Sequence, residues 1–148
     1  MTGRMTDKVT IVTGGASGIG KSCCLRFAEE GAQIVVADIN LDRAAAVVSE
    51  IHQAGGQASA VAVDTSIPEE VDAMANTAVE VFGRVDACIA AAGISHAGYV
   101  SREPDQQANQ DRHDRQDMLL IEKSLANWQR VIDVNLTGVM LTNQSVAK

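Results

Sequence analysis

Positive charge is scarce in this sequence: twelve Lys and Arg stand against nineteen Asp and Glu, for a formal net charge of −7. That balance argues against a nucleic-acid surface and against docking on an anionic membrane. No apolar run approaches the ~20 residues that a membrane-spanning helix needs. Arg4 and Lys8 flank no apolar stretch of the kind a secretory leader carries. Cysteine is sparse and odd in number: Cys23, Cys24 and Cys88, two adjacent and none in a C-x-x-C pattern. They read as small core thiols in a reducing compartment, so the expected location is cytoplasmic. Cys23 and Cys24 fall in the first turns of an expected helix, where a thiol can be activated, but packing is the stronger reading. His52, His96 and His113 have no partners at a ligand spacing, so no metal site is expected. No internal repeat is present.

Against these absences stands a dense alternation of apolar runs and glycines. Its centre is Lys8-Val-Thr-Ile-Val-Thr-Gly-Gly-Ala-Ser-Gly-Ile-Gly20. The β-branched run suits a strand buried on both faces of a parallel sheet. The glycines suit a tight turn. The helix opening near Ser17 would point unpaired N–H groups and its positive dipole end at that turn, which suits a pyrophosphate.

The rest of the chain continues the alternation. Strands are expected over 9–13, 33–38, 58–63 and 86–91. Helices are expected over 17–30, from 41 to the Gly55-Gly56 stop, from Pro68 to the Gly83 stop, and from an N-cap at Ser124 onward. Ile19, Cys23, Phe27 and Ala28 are expected on the buried face of the first helix. Val71, Met74, Ala75, Ala78, Val79 and Phe82 are expected on that of the third. Ser66-Ile67-Pro68-Glu69 reads as a capping box. Short connections between strand and helix give a parallel sheet covered on both faces, a three-layer α/β/α arrangement with strand order 3-2-1-4. A ligand is expected in the crevice between strands one and four, where the strand order reverses. The 148 residues are expected to form one domain.

The glycine spacing is Thr-Gly-x-x-x-Gly-Ile-Gly rather than G-x-G-x-x-G. With Ala90-Ala91-Ala92-Gly93 and Val134-Asn135-Leu136-Thr137-Gly138 further on, the chain resembles the cofactor-binding portion of the short-chain dehydrogenase/reductase family over about residues 6–148. The resemblance implies a Rossmann-type doubly wound parallel sheet and a nicotinamide dinucleotide cofactor. It places cofactor contacts at Gly14, Ser17, Gly18, Ile19 and Gly20 in the turn, Asp38 and Ile39 after strand two, Asp64 and Thr65 after strand three, and Ala91 and Gly93 after strand four. Asp38 can accept both ribose hydroxyls of an adenosine. It also repels a 2′-phosphate, at a cost on the order of 4 kcal/mol at intermediate dielectric. Ala16, Ser17 and Ile39 offer no positive charge to hold that phosphate, so NAD is favoured; Arg43, a turn further on, keeps NADP as the alternative. Asp64 is read equally as a neighbour of the adenine amino group and as a helix cap. The family usually has Asn-Asn-Ala-Gly where this chain has Ala90-Ala91-Ala92-Gly93, so any side-chain hydrogen bonds of those asparagines are lost. Asn135 matches the catalytic asparagine, which in the family helps hold a bound water in the proton relay.

The rest of the family's catalytic set is absent from these 148 residues. The only tyrosine is Tyr99, and four residues on is Glu103, so there is no Tyr-x-x-x-Lys to move the hydroxyl proton. The last helix pattern is still running at Lys148. The expectation is a truncated piece of an enzyme whose full-length form acts on a small-molecule alcohol or ketone, and which forms a homo-oligomer through helix 124–148. A non-catalytic NAD-binding module is the alternative, and a methyltransferase-like fold a distant third. Residues 101–117, polar apart from Ala108, are expected to be a mobile loop near the cleft mouth, read as a surface insertion before a lid.

Overall fold

The computed structural model describes residues 3–95 and 124–148. The expected loop at 101–117, His96, Tyr99 and His113 lie outside the described residues. The elements run β1 (Val9–Thr13), α1 (Gly18–Glu29), β2 (Gln33–Asp38), α2 (Leu41–Gln53), β3 (Gln57–Ala62), α3 (Pro68–Phe82) and β4 (Ala87–Ala90). After the undescribed stretch come α4 (Leu125–Ile132), a π turn (Asp133–Thr137) and α5 (Gly138–Val146). All strand pairs are parallel and the order is β3-β2-β1-β4, as the alternation predicts.

The sheet separates two apolar layers because successive strand residues face opposite sides. Val12, Ile34 and Val36 meet Cys24 of α1 and Ala44, Val47 and Ile51 of α2. Ile11, Val35 and Ala37 meet Val71, Met74 and Ala78 of α3, with Leu141 and Val146 of α5 against the same cluster. All five residues of β1 are buried, which is the observed form of a strand covered on both faces.

Several local expectations are corrected. On α1 it is Cys24 that is fully buried, while Ile19 is 78% exposed; the helix turns its Gly20–Cys24 line inward because only glycine fits at the turn. On α3, Val79 is half exposed. Ser66 does not cap α3. The N-cap is Ile67, with no side-chain bond; Ser66 instead donates its hydroxyl and amide to Asp64 Oδ1 at 2.6 and 3.0 Å. Glu70 reaches back to accept from Asp64 N at 2.7 Å. The loop is thus closed one turn earlier than a capping box would close it. The single helix expected after Ser124 is interrupted by the π turn. Asn135 explains the break: its Nδ2 donates to Val131 O, four residues back, at 2.9 Å, and such back-bonding competes with the helix ladder.

Candidate functional site

A cleft of about 320 Å³ lies at the carboxyl ends of the strands, where β1 and β4 part. Its lining includes Gly14, Ser17, Gly18, Ile19, Gly20, Asp38, Ile39, Asp64, Thr65, Ala91 and Gly93. Every cofactor-contact residue expected from the sequence therefore falls on one surface. Ala92, Ile94, Val63, Val134 and Arg130 also line it and were not among the expected residues.

The turn at the cleft floor is stitched to both neighbouring strands. Gly15 N donates to Ala37 O at 3.1 Å, and Ala91 N donates to Thr13 O at 3.2 Å. Ala92 N donates to Thr13 Oγ1 at 3.3 Å. Gly14 has φ +66°, and a Cβ there would lie 2.8 Å from Ala91 O and Ala92 Cα. Only glycine satisfies both the dihedral and the approach. Lys21 N is the first amide to close a turn of α1, onto Ser17 O at 3.0 Å. The amides of Gly18, Ile19 and Gly20 ahead of it are left for other partners. A Cβ on Gly18 would meet no protein atom within 4 Å, so the space beside it belongs to the cleft. Free amides, a helix N-terminus and open space together fit the diphosphate of a dinucleotide.

Asp38 is 6% exposed. Its Oδ2 accepts from Ala16 N at 3.1 Å and its Oδ1 from Asn40 N at 3.0 Å. The carboxylate thus fixes the glycine turn from behind while lining the cleft. It does not cap α2; Asn40 does, accepting from Arg43 N at 3.0 Å. Two carboxylate oxygens carry about four acceptor positions, so two remain for ribose hydroxyls.

Asp64 follows the end of β3, beside β2, and lines the same cleft. Its Oδ2 accepts from Arg130 at 2.8 Å, alongside the Ser66 bonds to Oδ1. Burial works against the charged form, but the Ser66 and Arg130 donors outweigh it and hold the carboxyl below its ordinary value. Asp64 is not the N-cap of α3, so the capping reading is set aside in favour of an ion-paired corner.

Asn135 brackets Ile94. Its Oδ1 accepts from Ile94 N at 3.0 Å and its Nδ2 donates to Ile94 O at 2.7 Å. Gly93 leaves room for this: a Cβ there would come within 2.6 Å of Asn135 Oδ1. The π turn and the loop after β4 are thereby locked together; Ile94 and Val134 line the cleft there, while Asn135 itself is not among the lining residues. π turns recur at functional positions. The thiols take no part. Burial pushes Cys24 up to about 12 and Cys88 up to about 11, so both stay protonated at neutral pH. Among the described residues no group of His, Cys, Asp and Glu could hold a metal ion, and no helix is long and apolar enough to cross a membrane.

A glycine turn, an acid one strand over and a crevice at the strand-order reversal define an α/β fold of the Rossmann type. The family model for short chain dehydrogenases matches residues 8–148. Cyclohexanol dehydrogenase of Acinetobacter sp. (strain SE19) is 38% identical over 139 residues, 94% of this chain and 48% of that protein. The crystal structure of a short-chain type dehydrogenase/reductase from Mycobacterium marinum superposes with a TM-score of 0.79 at 31% identity, covering 97% of this chain and 50% of the other. A 7α-hydroxysteroid dehydrogenase in complex with NADH and 7-oxo glycochenodeoxycholic acid gives 0.76 at 33% identity, covering 97% and 48%. This chain belongs to the short-chain dehydrogenase/reductase family. It spans about half the length of the curated relatives it matches.

Proposed function

We propose that the chain forms the NAD-binding portion of an oxidoreductase that transfers hydride between an alcohol or ketone and the nicotinamide. The observation that carries the reading is Asp38, buried behind the glycine turn with both oxygens anchored and its remaining lone pairs on the cleft. A nicotinamide dinucleotide, when bound, supplies the ring that takes or gives the hydride. The α1 amides hold the diphosphate, Asp38 accepts from the adenosine ribose, and the Ala91–Gly93 backbone receives the nicotinamide ribose. Asn135 is matched to the family's relay asparagine, and its grip on Ile94 supports that placement. Preference for NAD follows from the fixed negative charge of Asp38.

The 148 residues contain no Tyr-x-x-x-Lys, and this favours a second reading for the chain on its own: a non-catalytic NAD-binding module. The isolated chain binds NAD, self-associates through segment 124–148, where Leu125, Trp128, Leu136 and Met140 are exposed, and turns nothing over. Its free thiols support a cytoplasmic setting. Calorimetric titration with NAD and NADP tests the cofactor reading: NAD should bind at least about tenfold tighter, a 1.4 kcal/mol difference. Equal or tighter binding of NADP overturns the role of Asp38; no binding of either overturns the site. Steady-state assay of the isolated chain against secondary alcohols, compared with a heat-killed control, tests the expected lack of turnover: activity above the control overturns it.

A further inference from the structure

Among the described residues Arg130 is the one cleft-lining cation, and neither the glycine turn nor the Asn135 contact uses it. It sits on α4, which has no fully buried residue of its own. Its two terminal nitrogens reach across 64 and 66 positions of sequence, Nη1 to Ser66 Oγ and Nη2 to Asp64 Oδ2, both at 2.8 Å. Ser66 in turn donates to Asp64, so the three side chains close a ring. Eight residues on, Gly138 lies so close to the same loop that a Cβ would meet Thr65 Oγ1 at 2.9 Å. The loop after β3 and the helix carrying Asn135 therefore share two seams, one polar and one of contact.

We propose that Arg130 is a positioning residue: by holding Asp64 and Ser66 it sets the Asn135 turn against the loop after β3, so that the two ends of this linkage are aligned by one guanidinium. An exposed ion pair is worth little. Here the acid is 17% exposed at its side chain and the fork engages two acceptors. A planar fork on two fixed partners constrains direction as well as distance. Asn135 lies five residues beyond Arg130, within the turn that follows α4, so a shift of α4 moves the Ile94 bracket. Calling the two ends adenosine and nicotinamide rests on the dinucleotide reading above; the mechanical linkage does not.

The test has two arms on the full chain. In the first, the ligand-free protein is followed by NMR at the Asn135 side-chain amide and the Ile94 backbone amide. Arg130→Met should shift or broaden both, and Arg130→Lys should restore them in part. Unchanged resonances in a folded Arg130→Met protein overturn the linkage. Should Arg130→Met not fold, Asp64→Asn retains the guanidinium and removes only its charged acceptor; displaced Asn135 and Ile94 signals support the proposal, and wild-type signals overturn it. In the second arm, adenosine monophosphate and nicotinamide mononucleotide are titrated separately. Both should weaken in Arg130→Met, by about five- to tenfold, a range set by charge-assisted bonds rather than exposed pairs. Loss confined to the adenosine ligand overturns the alignment role. If wild-type protein binds neither nucleotide, the dinucleotide reading fails, and the first arm still decides the linkage.

Discussion

Gly20→Ala offers the sharpest test of how the cleft floor is built. A Cβ at this position would stand 2.1 Å from Gly14 O and 2.7 Å from Gly14 C. An ordinary contact needs more than 3 Å, so the turn must withdraw by about an ångström. It has nowhere to go. The far side of Gly14 already lies against Ala91 and Ala92, and Gly15 N is tied to Ala37 O at 3.1 Å. Overpacking of this kind costs about 1–3 kcal/mol, and better helix propensity returns ~0.5–1 kcal/mol. At the middle of both ranges the net loss is about 1.25 kcal/mol, a fall in Tm of about 3–5 °C for a chain of this size. Because the strain falls on the turn that presents the amides, NAD affinity should fall by at least about tenfold as well, a 1.4 kcal/mol loss. Gly18→Ala is the control. Its φ of +50° costs a side chain about 1–2 kcal/mol, but a Cβ meets no protein atom within 4 Å and projects into cleft space. It should therefore damage ligand binding more than packing. Both variants should lose stability in thermal melts, Gly20→Ala by clash and Gly18→Ala by dihedral strain, and both should weaken in NAD titrations. A Gly20→Ala protein with wild-type Tm and wild-type affinity would refute the account of the turn.

Four further outcomes follow from the same contacts. Thr10 Oγ1 is fully buried with no hydrogen-bond partner among the described residues; Thr10→Val keeps the shape, removes the orphan and should raise stability by about 1 kcal/mol in urea melts. Asp86 accepts from Val9 N and Arg84, which hold its carboxyl at about 2 against 3.8 when unfolded. A depressed carboxylate stabilises above its unfolded value and loses that contribution as pH falls through the folded one, so Asp86→Asn should flatten the Tm profile between about pH 4 and pH 2. Glu30, lowered to about 2 chiefly by its bond from Arg4, should leave a residual slope there. Asn135→Ala removes the partners of both Ile94 groups, and hydrogen exchange at Ile94 N should lose its protection, with about 1–2 kcal/mol of stability lost. Cys24 and Cys88, with thiols held protonated by burial, should resist iodoacetamide in the folded chain and react only after denaturation.

Legibility from sequence followed the range of the physics. The strands and helices are set by local periodicity and by glycine stops, and Val9–Thr13 and Gln33–Asp38 emerge with the expected bounds. The strand order follows from handed, short crossovers, which need no side-chain detail. Cleft residues such as Gly14, Asp38 and Asp64 were legible because each sits at a strand end, a position the topology dictates. The π turn was not, since it arises when Asn135 takes Val131 O and Ile94 together, and Ile94 is 41 residues away. Ser66 was misread for a related reason: its local pattern fits a cap, but Asp64, itself held by Arg130, claims its hydroxyl. Arg130 carried one faint signal. It stands four residues before buried Val134 and eight before buried Gly138, a charge on the line facing the loop.

The two ends of the cleft are built by different means, and that difference bears on function. At the glycine turn the contacts are backbone on backbone or a short buried carboxylate on an amide, spanning 22 residues for Ala16–Asp38. Such a wall has few rotamers to lose and stands ready for its ligand before binding. At the Asn135 turn the wall has one buried residue, Val134, after a helix with none, and is held by an exposed asparagine and a part-exposed arginine over 41 and 66 residues. Segments with few buried apolar contacts occupy the low-stability end of a fold. A dinucleotide entering this cleft would meet a preformed floor first and an adjustable wall second. Ordering the second wall costs free energy that the first does not. Affinity is therefore expected to come from the glycine turn and Asp38, and alignment from Asn135 and Arg130.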